Sequence, residues 1–308
     1  MNKHIVITGI SGFVGTNLSH FLKERGDDIV GISRNPIKNE LNYKSLNIDL
    51  LNNSKVLIHL AGKAHDLNKT SSYQDYFKVN TNITKNIFNT FLKSSCEVFF
   101  YVSSVKAVAD EAQEALTENT SPNPVTAYGK SKLAAENYLF SKTFPKNKRI
   151  YILRPCMIHG PLNKGNLNLL YKFVSTGIPW PLGAFKNQRS FCSIDNLLFI
   201  IHELIENKSI LSGIYNVADD IPLSTNEVVK LISKSQKRNQ TIWNFPIILI
   251  KFLARFGDKI NLPLNSESLK KLTESYIVCN KKIIQAIGKK LPIRSEDGML
   301  KTFESYNK

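Results

Sequence analysis

Tyr128 and Lys132 stand four residues apart in TAYGKSKL, a spacing that puts both on one face of a helix, one turn apart. A free tyrosine, with a pKa of about 10, is a poor base at neutral pH. A neighbouring ammonium favours the phenolate and lowers that value. Ser104 follows the apolar run EVFFYVS. Such a run reads as a strand buried on both faces of a parallel sheet. Ser104 therefore falls at a strand's carboxyl end, where open α/β sheets bind ligands. Its hydroxyl there can polarise a carbonyl or hydroxyl, and the three side chains together suit proton transfer at a carbon-bound oxygen.

Gly9, Gly12 and Gly15 follow the β-rich HIVIT and precede a helical pattern. The first glycine permits a tight turn, the second a close approach of backbone to a pyrophosphate, and the third close packing of helix on strand. Phe13 and Val14 offer their backbone N–H groups to the same anion. A site for NAD usually has an acid at the end of the second strand, to accept from the ribose 2′-hydroxyl. Here that strand ends in Ser33-Arg34-Asn35, and Asp27 and Asp28 lie before it. Arg34 can instead pair with a 2′-phosphate, so the cofactor expected is NADP(H), with NAD(H) as the alternative. Asp49, at the end of the third predicted strand, is placed to meet the adenine amino group.

These residues need elements to position them. Strands are predicted at His4–Thr8, Ile29–Ser33, Ser45–Leu50, Val56–Ala61, Glu97–Ser103 and Arg149–Leu153. Helices are predicted at Thr16–Arg25, ended by Gly26, and at Tyr73–Lys93, Ala127–Lys142, Ser224–Gln236 and Phe245–Phe256. Alternating strands and helices imply βαβ units with right-handed crossovers. After Arg154-Pro155 the loops lengthen and grow rich in Gly, Pro and Asn. The fold expected is α/β, a doubly wound Rossmann-type parallel sheet with a smaller C-terminal lobe. Residues 1–155 form the nucleotide-binding domain. Residues 156–308 form mainly a substrate lobe, with part of the chain returning to the first domain.

The chain has 308 residues, 42% hydrophobic and 21% charged, which excludes an intrinsically disordered chain. The four cysteines form no CxxC pair, so neither a zinc ribbon nor a disulfide scaffold is expected, and reduced cysteines in a cytoplasmic protein fit best. Cys156 and Cys192 are read as packing residues, and His59 and His65 as structural, since no partners stand at metal-ligand spacing. The net charge is +16. The basic residues are dispersed, so a Lys-rich surface is expected rather than a nucleic-acid site. Neither a signal peptide nor a membrane-spanning helix is expected. Ile242–Ile260 is apolar with Lys251, Arg255 and Lys259 at spacing four. It reads either as a membrane-surface helix or as a helix whose apolar side faces the core and whose basic stripe faces solvent. The second reading is the one expected.

The order of these pieces resembles the extended short-chain dehydrogenase/reductase superfamily of nucleotide-sugar epimerases, dehydratases and reductases. The resemblance runs through TGISGFVG, NIDL, HLAG, VNTNITKNI, VSSVKA, YGKSK, LRPCMIHGP, RSFCSIDNL and YNVADD. It implies Ser104, Tyr128 and Lys132 as the catalytic set. Leu50, Leu60, Ala61, Gly62 and Asn80 would contact the cofactor, and Pro155 would border its nicotinamide. Arg189 would bind the substrate diphosphate and Asn166 the same nucleotide. Gly62 replaces a common Ala, and Met157 and His159 depart from the family's usual Asn and Tyr. The resemblance also implies a homodimer. Its narrower look is of bacterial surface-polysaccharide enzymes that act on UDP-N-acetylhexosamine derivatives. The reaction expected is reduction of a C4 keto group on a UDP-linked deoxy-amino-sugar. The runner-up is a 4-epimerase with bound NAD, and a distant third is a non-catalytic sensor.

Overall fold

The computed structural model describes residues 3–37, 40–63, 72–112, 114–163, 165–239, 241–259 and 265–307. Seven strands, His4–Thr8 (β1), Asp28–Ser33 (β2), Leu41–Asn42 (β3), Val56–His59 (β4), Val98–Val102 (β5), Arg149–Pro155 (β6) and, after two short strands, Gly213–Val217 (β9), make one parallel sheet. The short strands are Met157–His159 (β7) and Phe191–Ser193 (β8), which pair with each other. The sheet order is β3-β2-β1-β4-β5-β6-β9. This is the doubly wound arrangement, reversing direction between β1 and β4, where such sheets open a ligand crevice.

Alternate strand residues feed two cores, as the period-two pleat requires. Ile5, Ile7, Ile58, Phe100 and Leu153 pack on one face with the helix Ile194–Glu206. Val6, Leu57, Phe99, Ile150 and Ile152 pack on the other with the helices Ile83–Lys93 and Ala127–Phe140. A third core, centred on Trp180, Val229, Met299 and Phe303, belongs to the later half of the chain. That half also returns β9 to the sheet, paired with β6.

Two expectations change. The segment predicted as a third strand at Ser45–Leu50 is a helical turn. Asn47 caps the helix Ile48–Asn52 by accepting from the Leu50 N–H at 2.9 Å, and the edge strand is the two residues Leu41–Asn42. An asparagine side chain that satisfies a free helix N–H outweighs the weak β-propensity of NIDL. The second change concerns the helix Ile247–Lys259. It buries only Ile250, Ala254 and Gly257, while Ile248, Phe252 and Phe256 stand exposed. The apolar arc is wider than the strip that packs, so much of it faces solvent beside the basic residues.

Candidate active site

The turn after β1 is built by its glycines. Gly9 has φ +76°, and a Cβ there would lie 2.8 Å from the Ala61 nitrogen. At Gly15 a Cβ would meet the Gly9 carbonyl at 2.3 Å and Ile10 Cα at 2.7 Å, so only glycine lets the helix Phe13–Lys23 press onto the turn. A Cβ on Gly12 would touch only the Gly9 carbonyl, at 3.3 Å. Its outer side is open, where backbone N–H groups of a helix start with no side-chain cap and no acid in its first turn are free for an anion. The residues thus fit a dinucleotide pyrophosphate. Phe13, Val14 and Leu60 pack partly buried against the core beneath.

The end of β2 corrects the cofactor expectation. Ser33 is buried and Arg34 exposed. The Ser33 hydroxyl donates to the Glu40 carboxylate at 2.7 Å, and the Ile37 N–H donates to the same oxygen at 3.2 Å. An acid therefore does stand beside the end of β2, brought back by the loop. The NADP(H) preference drawn from a missing acid is not supported. Asp49 lies exposed in the first turn of the helix Ile48–Asn52, next to Leu50.

Beyond β4, the fully buried Asn80 ties three segments together. Its Oδ1 accepts from the Lys63 N–H at 2.7 Å. Its Nδ2 donates to the Lys63 carbonyl at 3.0 Å and to the Ser131 hydroxyl at 2.9 Å. Ser131 in turn donates to the Tyr128 carbonyl at 2.8 Å. Asn80 sits in a wide turn, Phe77–Asn82, within a helix predicted as regular from Tyr73 to Lys93; such π-type insertions recur at functional sites. His59 is structural, as expected. Thr84 donates to the Asn80 carbonyl at 2.7 Å and so accepts from His59 Nε2–H at 2.8 Å, while Nδ1 accepts from Thr8 at 2.6 Å. Burial, with the Lys132 charge adding, pulls the His59 pKa down to about 3 and keeps the ring neutral. His65 lies outside the described residues.

The helix Ala127–Phe140 starts from Thr126, whose hydroxyl accepts from the Gly129 N–H at 3.1 Å. The Asp110 carboxylate holds the N–H groups of Val125 and Thr126 at 2.7 and 3.0 Å. A Cβ at Gly129 would fall 2.3 Å from the Lys106 carbonyl, so glycine lets this helix close on the segment after β5. That closeness brings the Tyr128 phenol to Ser104. Burial raises the phenol's pKa, and the hydrogen bond from Ser104 pulls the other way. Lys132, almost fully buried, donates to the Val102 carbonyl at 2.9 Å. Burial lowers its pKa to about 8, opposed by Glu136. The lowered Tyr128 pKa expected from the neighbouring Lys132 is not found: burial outweighs the opposing influences and the phenol lies above its usual value. A Cβ at Gly62 would stand 3.0 Å from Lys132 Nζ and 3.2 Å from Asn80 Oδ1, so glycine in place of the common alanine leaves room for the ammonium. Beneath Lys132, Glu136 receives Arg154 Nε on both oxygens at 3.1 Å, and the Ser103 hydroxyl as well.

Arg189 arrives from the later half, bridged to Leu223 and Tyr276, and donates to the Lys271 carbonyl. Lys106, which sequence reasoning did not single out, lies 4.4 Å over the Tyr276 ring. Its pKa is lowered by burial and by the charge of Arg189. Two cations thus converge on the side where Ser104 sits. Pro155 ends β6. Asn166 opens the helix Asn166–Ser175. His159 is fully buried, its Nδ1 2.9 Å from the Thr302 hydroxyl and its Nε2 3.3 Å from the Asp219 carboxylate. Cys156 and Cys192 are buried, and burial raises both thiols well above their usual range. Glu40, Lys106, Ser131 and Glu136 had no readable signal, because each acts through a partner distant in sequence or on a turn not foreseen.

A parallel sheet of this order, a glycine turn at its switch point and a Ser–Tyr–Lys set beyond its strand ends define a dinucleotide-dependent enzyme of the short-chain dehydrogenase type. The chain belongs to the NAD dependent epimerase/dehydratase family, whose sequence profile matches residues 5–218. It is 28% identical to the UDP-glucose 4-epimerase of Vibrio cholerae, over 99% of this chain and 96% of that one. It is 27% identical to the N-acetyl-alpha-D-glucosaminyl-diphospho-ditrans,octacis-undecaprenol 4-epimerase of Escherichia coli O157:H7, over 80% of this chain and 76% of that protein. Its fold is similar to that of a UDP-N-acetylglucosamine 4-epimerase from Bacillus cereus, with a TM-score of 0.78 at 18% identity over 98% of both chains.

Proposed function

We propose that this protein is a 4-epimerase of a UDP-linked hexose or N-acetylhexosamine, working with a retained NAD and serving surface-polysaccharide synthesis in the cytoplasm. The observation that carries this reading over C4-keto reduction is Glu40. The two reactions differ in the cofactor they need, because an epimerase recycles one bound NAD whereas a biosynthetic reductase consumes reducing equivalents drawn mainly from NADPH. An acid beside the end of β2 accepts from a ribose 2′-hydroxyl and repels a 2′-phosphate, which disfavours an enzyme that consumes NADPH. The three similar proteins named above are each called a 4-epimerase, which supports the same choice.

In this reading, Gly9, Gly12, Phe13, Val14 and Gly15 hold the pyrophosphate. Ser33 and Glu40 hold the adenosine ribose, with Asp49 and Leu50 near the base. Leu60, Ala61, Gly62, Asn80 and Pro155 border the nicotinamide end. NAD, when bound, supplies reversible hydride acceptance at C4 and a positive ring near Tyr128. Tyr128 exchanges the proton of the sugar's 4-hydroxyl, Ser104 orients that oxygen, and Lys132 adds positive charge. The raised phenol pKa means that Tyr128 holds its proton until cationic charge is added beside it. Arg189 and Lys106 anchor the diphosphate. A remote anchor of this kind orients the reacting carbon; Arg189 comes to it from the later half of the chain and Lys106 from the segment after β5.

Two reactions discriminate. With UDP-glucose or UDP-N-acetylglucosamine and no added cofactor, the galacto epimer is expected. With a UDP-4-keto-6-deoxy-N-acetylhexosamine and NADPH, no loss of NADPH absorbance is expected. The opposite pair of outcomes restores the reductase.

A further inference from the structure

We propose that the helix Ile247–Lys259 docks this protein onto an anionic lipid surface. The helix divides into three arcs, since each residue advances by about 100°. Ile250, Ala254 and Gly257 share one arc and are buried. Ile248, Leu249, Phe252, Leu253 and Phe256 share a second that faces solvent, with Ile248 83%, Phe252 66% and Phe256 54% exposed. Lys251, Arg255 and Lys259 share a third along the edge of the second, and are also exposed. The segment just before the helix lines an open recess with Ile242, Trp243, Asn244 and Phe245, where Trp243 is 47% exposed.

Single exposed apolar residues are ordinary, but a contiguous apolar patch of this kind marks an interaction surface. Its chemistry selects the partner. Outward apolar side chains flanked by basic ones fit a bilayer whose headgroups are negative, and the whole chain carries +16. The one acid on the helix, Asp258, is already engaged, accepting from the Ser266 N–H at 2.8 Å and its hydroxyl at 2.6 Å. A second copy fits less well, because a two-fold contact places a patch against itself and would set basic edges beside basic edges. Thirteen residues make a helix about 20 Å long, short of a hydrocarbon core of about 30 Å. Among the described residues no helix is long and apolar enough to cross a membrane. The helix therefore lies on the surface. It packs on the helix Ser266–Thr273, whose Lys271 carbonyl receives Arg189, so docking would bring the proposed diphosphate anchor near the bilayer.

The test is flotation of the full chain with vesicles at about 0.15 M salt, comparing phosphatidylglycerol-rich with pure phosphatidylcholine vesicles. Each basic residue near an anionic surface contributes about fivefold in affinity, so three give a preference on the order of 100-fold. Phe252→Ser with Phe256→Ser should abolish flotation, with circular dichroism and melting temperature unchanged. Lys251→Glu with Arg255→Glu should remove the preference for anionic vesicles. Failure of the parent to float, or undiminished flotation of the Phe252/Phe256 variant, overturns the proposal. A dimer in light scattering that the same variant dissolves, without vesicle binding, assigns the face to a second copy and overturns it equally.

Discussion

Glu136→Gln removes one charge from beneath the candidate active site and leaves the side chain's size unchanged. Glu136 and Arg154 are 1% and 2% exposed. The carboxylate receives Arg154 Nε on both oxygens at 3.1 Å, Arg154 Nη2, and the Ser103 hydroxyl. An amide has one acceptor oxygen, and its own N–H groups would face the guanidinium. Arg154 Nη1 already has no partner among the described residues, so little can compensate. Removing one member of a buried pair costs about 3–5 kcal/mol, a large part of the roughly 5–15 kcal/mol that holds a domain folded. Replacing both members by Leu and Met should recover most of that loss, because no charge is then stranded. Glu136 also holds the Lys132 pKa up against burial, so the variant should lose Lys132's charge at lower pH than the parent. Urea unfolding of the parent, single and double variants measures the first effect. The alkaline limb of the pH–activity profile, shifted downward, measures the second. A single variant within about 1 kcal/mol of the parent refutes the reasoning.

Tyr128→Phe should lower turnover by about 10²–10⁴ and leave NAD affinity close to the parent's in calorimetric titration, since only the proton-transferring oxygen is lost; near-normal turnover removes Tyr128 from its role. Glu40→Gln should weaken NAD binding roughly tenfold and narrow the preference over NADP, in line with the loss of a charged hydrogen-bond acceptor; unchanged titrations with both cofactors contradict that placement. Lys132 has its pKa lowered from 10.5 to about 8 by burial. The unfolded chain therefore binds this proton more tightly between those values, so the penalty is full below pH 8 and vanishes as pH rises through 10.5. Lys132→Met should thus gain stability relative to the parent, by up to about 3 kcal/mol more at pH 7 than at pH 10.5, while losing activity; a stability difference independent of pH refutes the buried-cation reading.

The sheet was legible where strands are continuous apolar runs. HIVIT, VLIH and VFFYV announce themselves because both faces of a parallel sheet are covered. NIDL misled because Asn47 caps a helix turn, a local hydrogen bond that the apolar pattern does not display. β9 is interrupted by Gly213 and Asn216, and its pairing with β6 completes it as a strand. The glycine roles were readable from spacing, and the clearances at Gly9 and Gly15 give their physical reason. The closeness of Ser104 and Tyr128 was readable as well. Glu40 was not, since the loop's return to Ser33 leaves no trace in spacing. The helix Ile247–Lys259 shows a wider limit. A helical pattern reports that apolar residues share an arc, and packing alone decides which arc is covered.

In the proposed epimerisation the C4 hydrogen leaves the sugar and returns to it on the enzyme. The direct test supplies UDP-N-acetylglucosamine deuterated at C4, without added cofactor, and examines the galacto product by proton NMR and mass spectrometry. A 4-epimerase working through bound NAD gives an epimer that keeps its deuterium at C4. Absence of the epimer, or an epimer carrying solvent hydrogen at C4, contradicts the proposal.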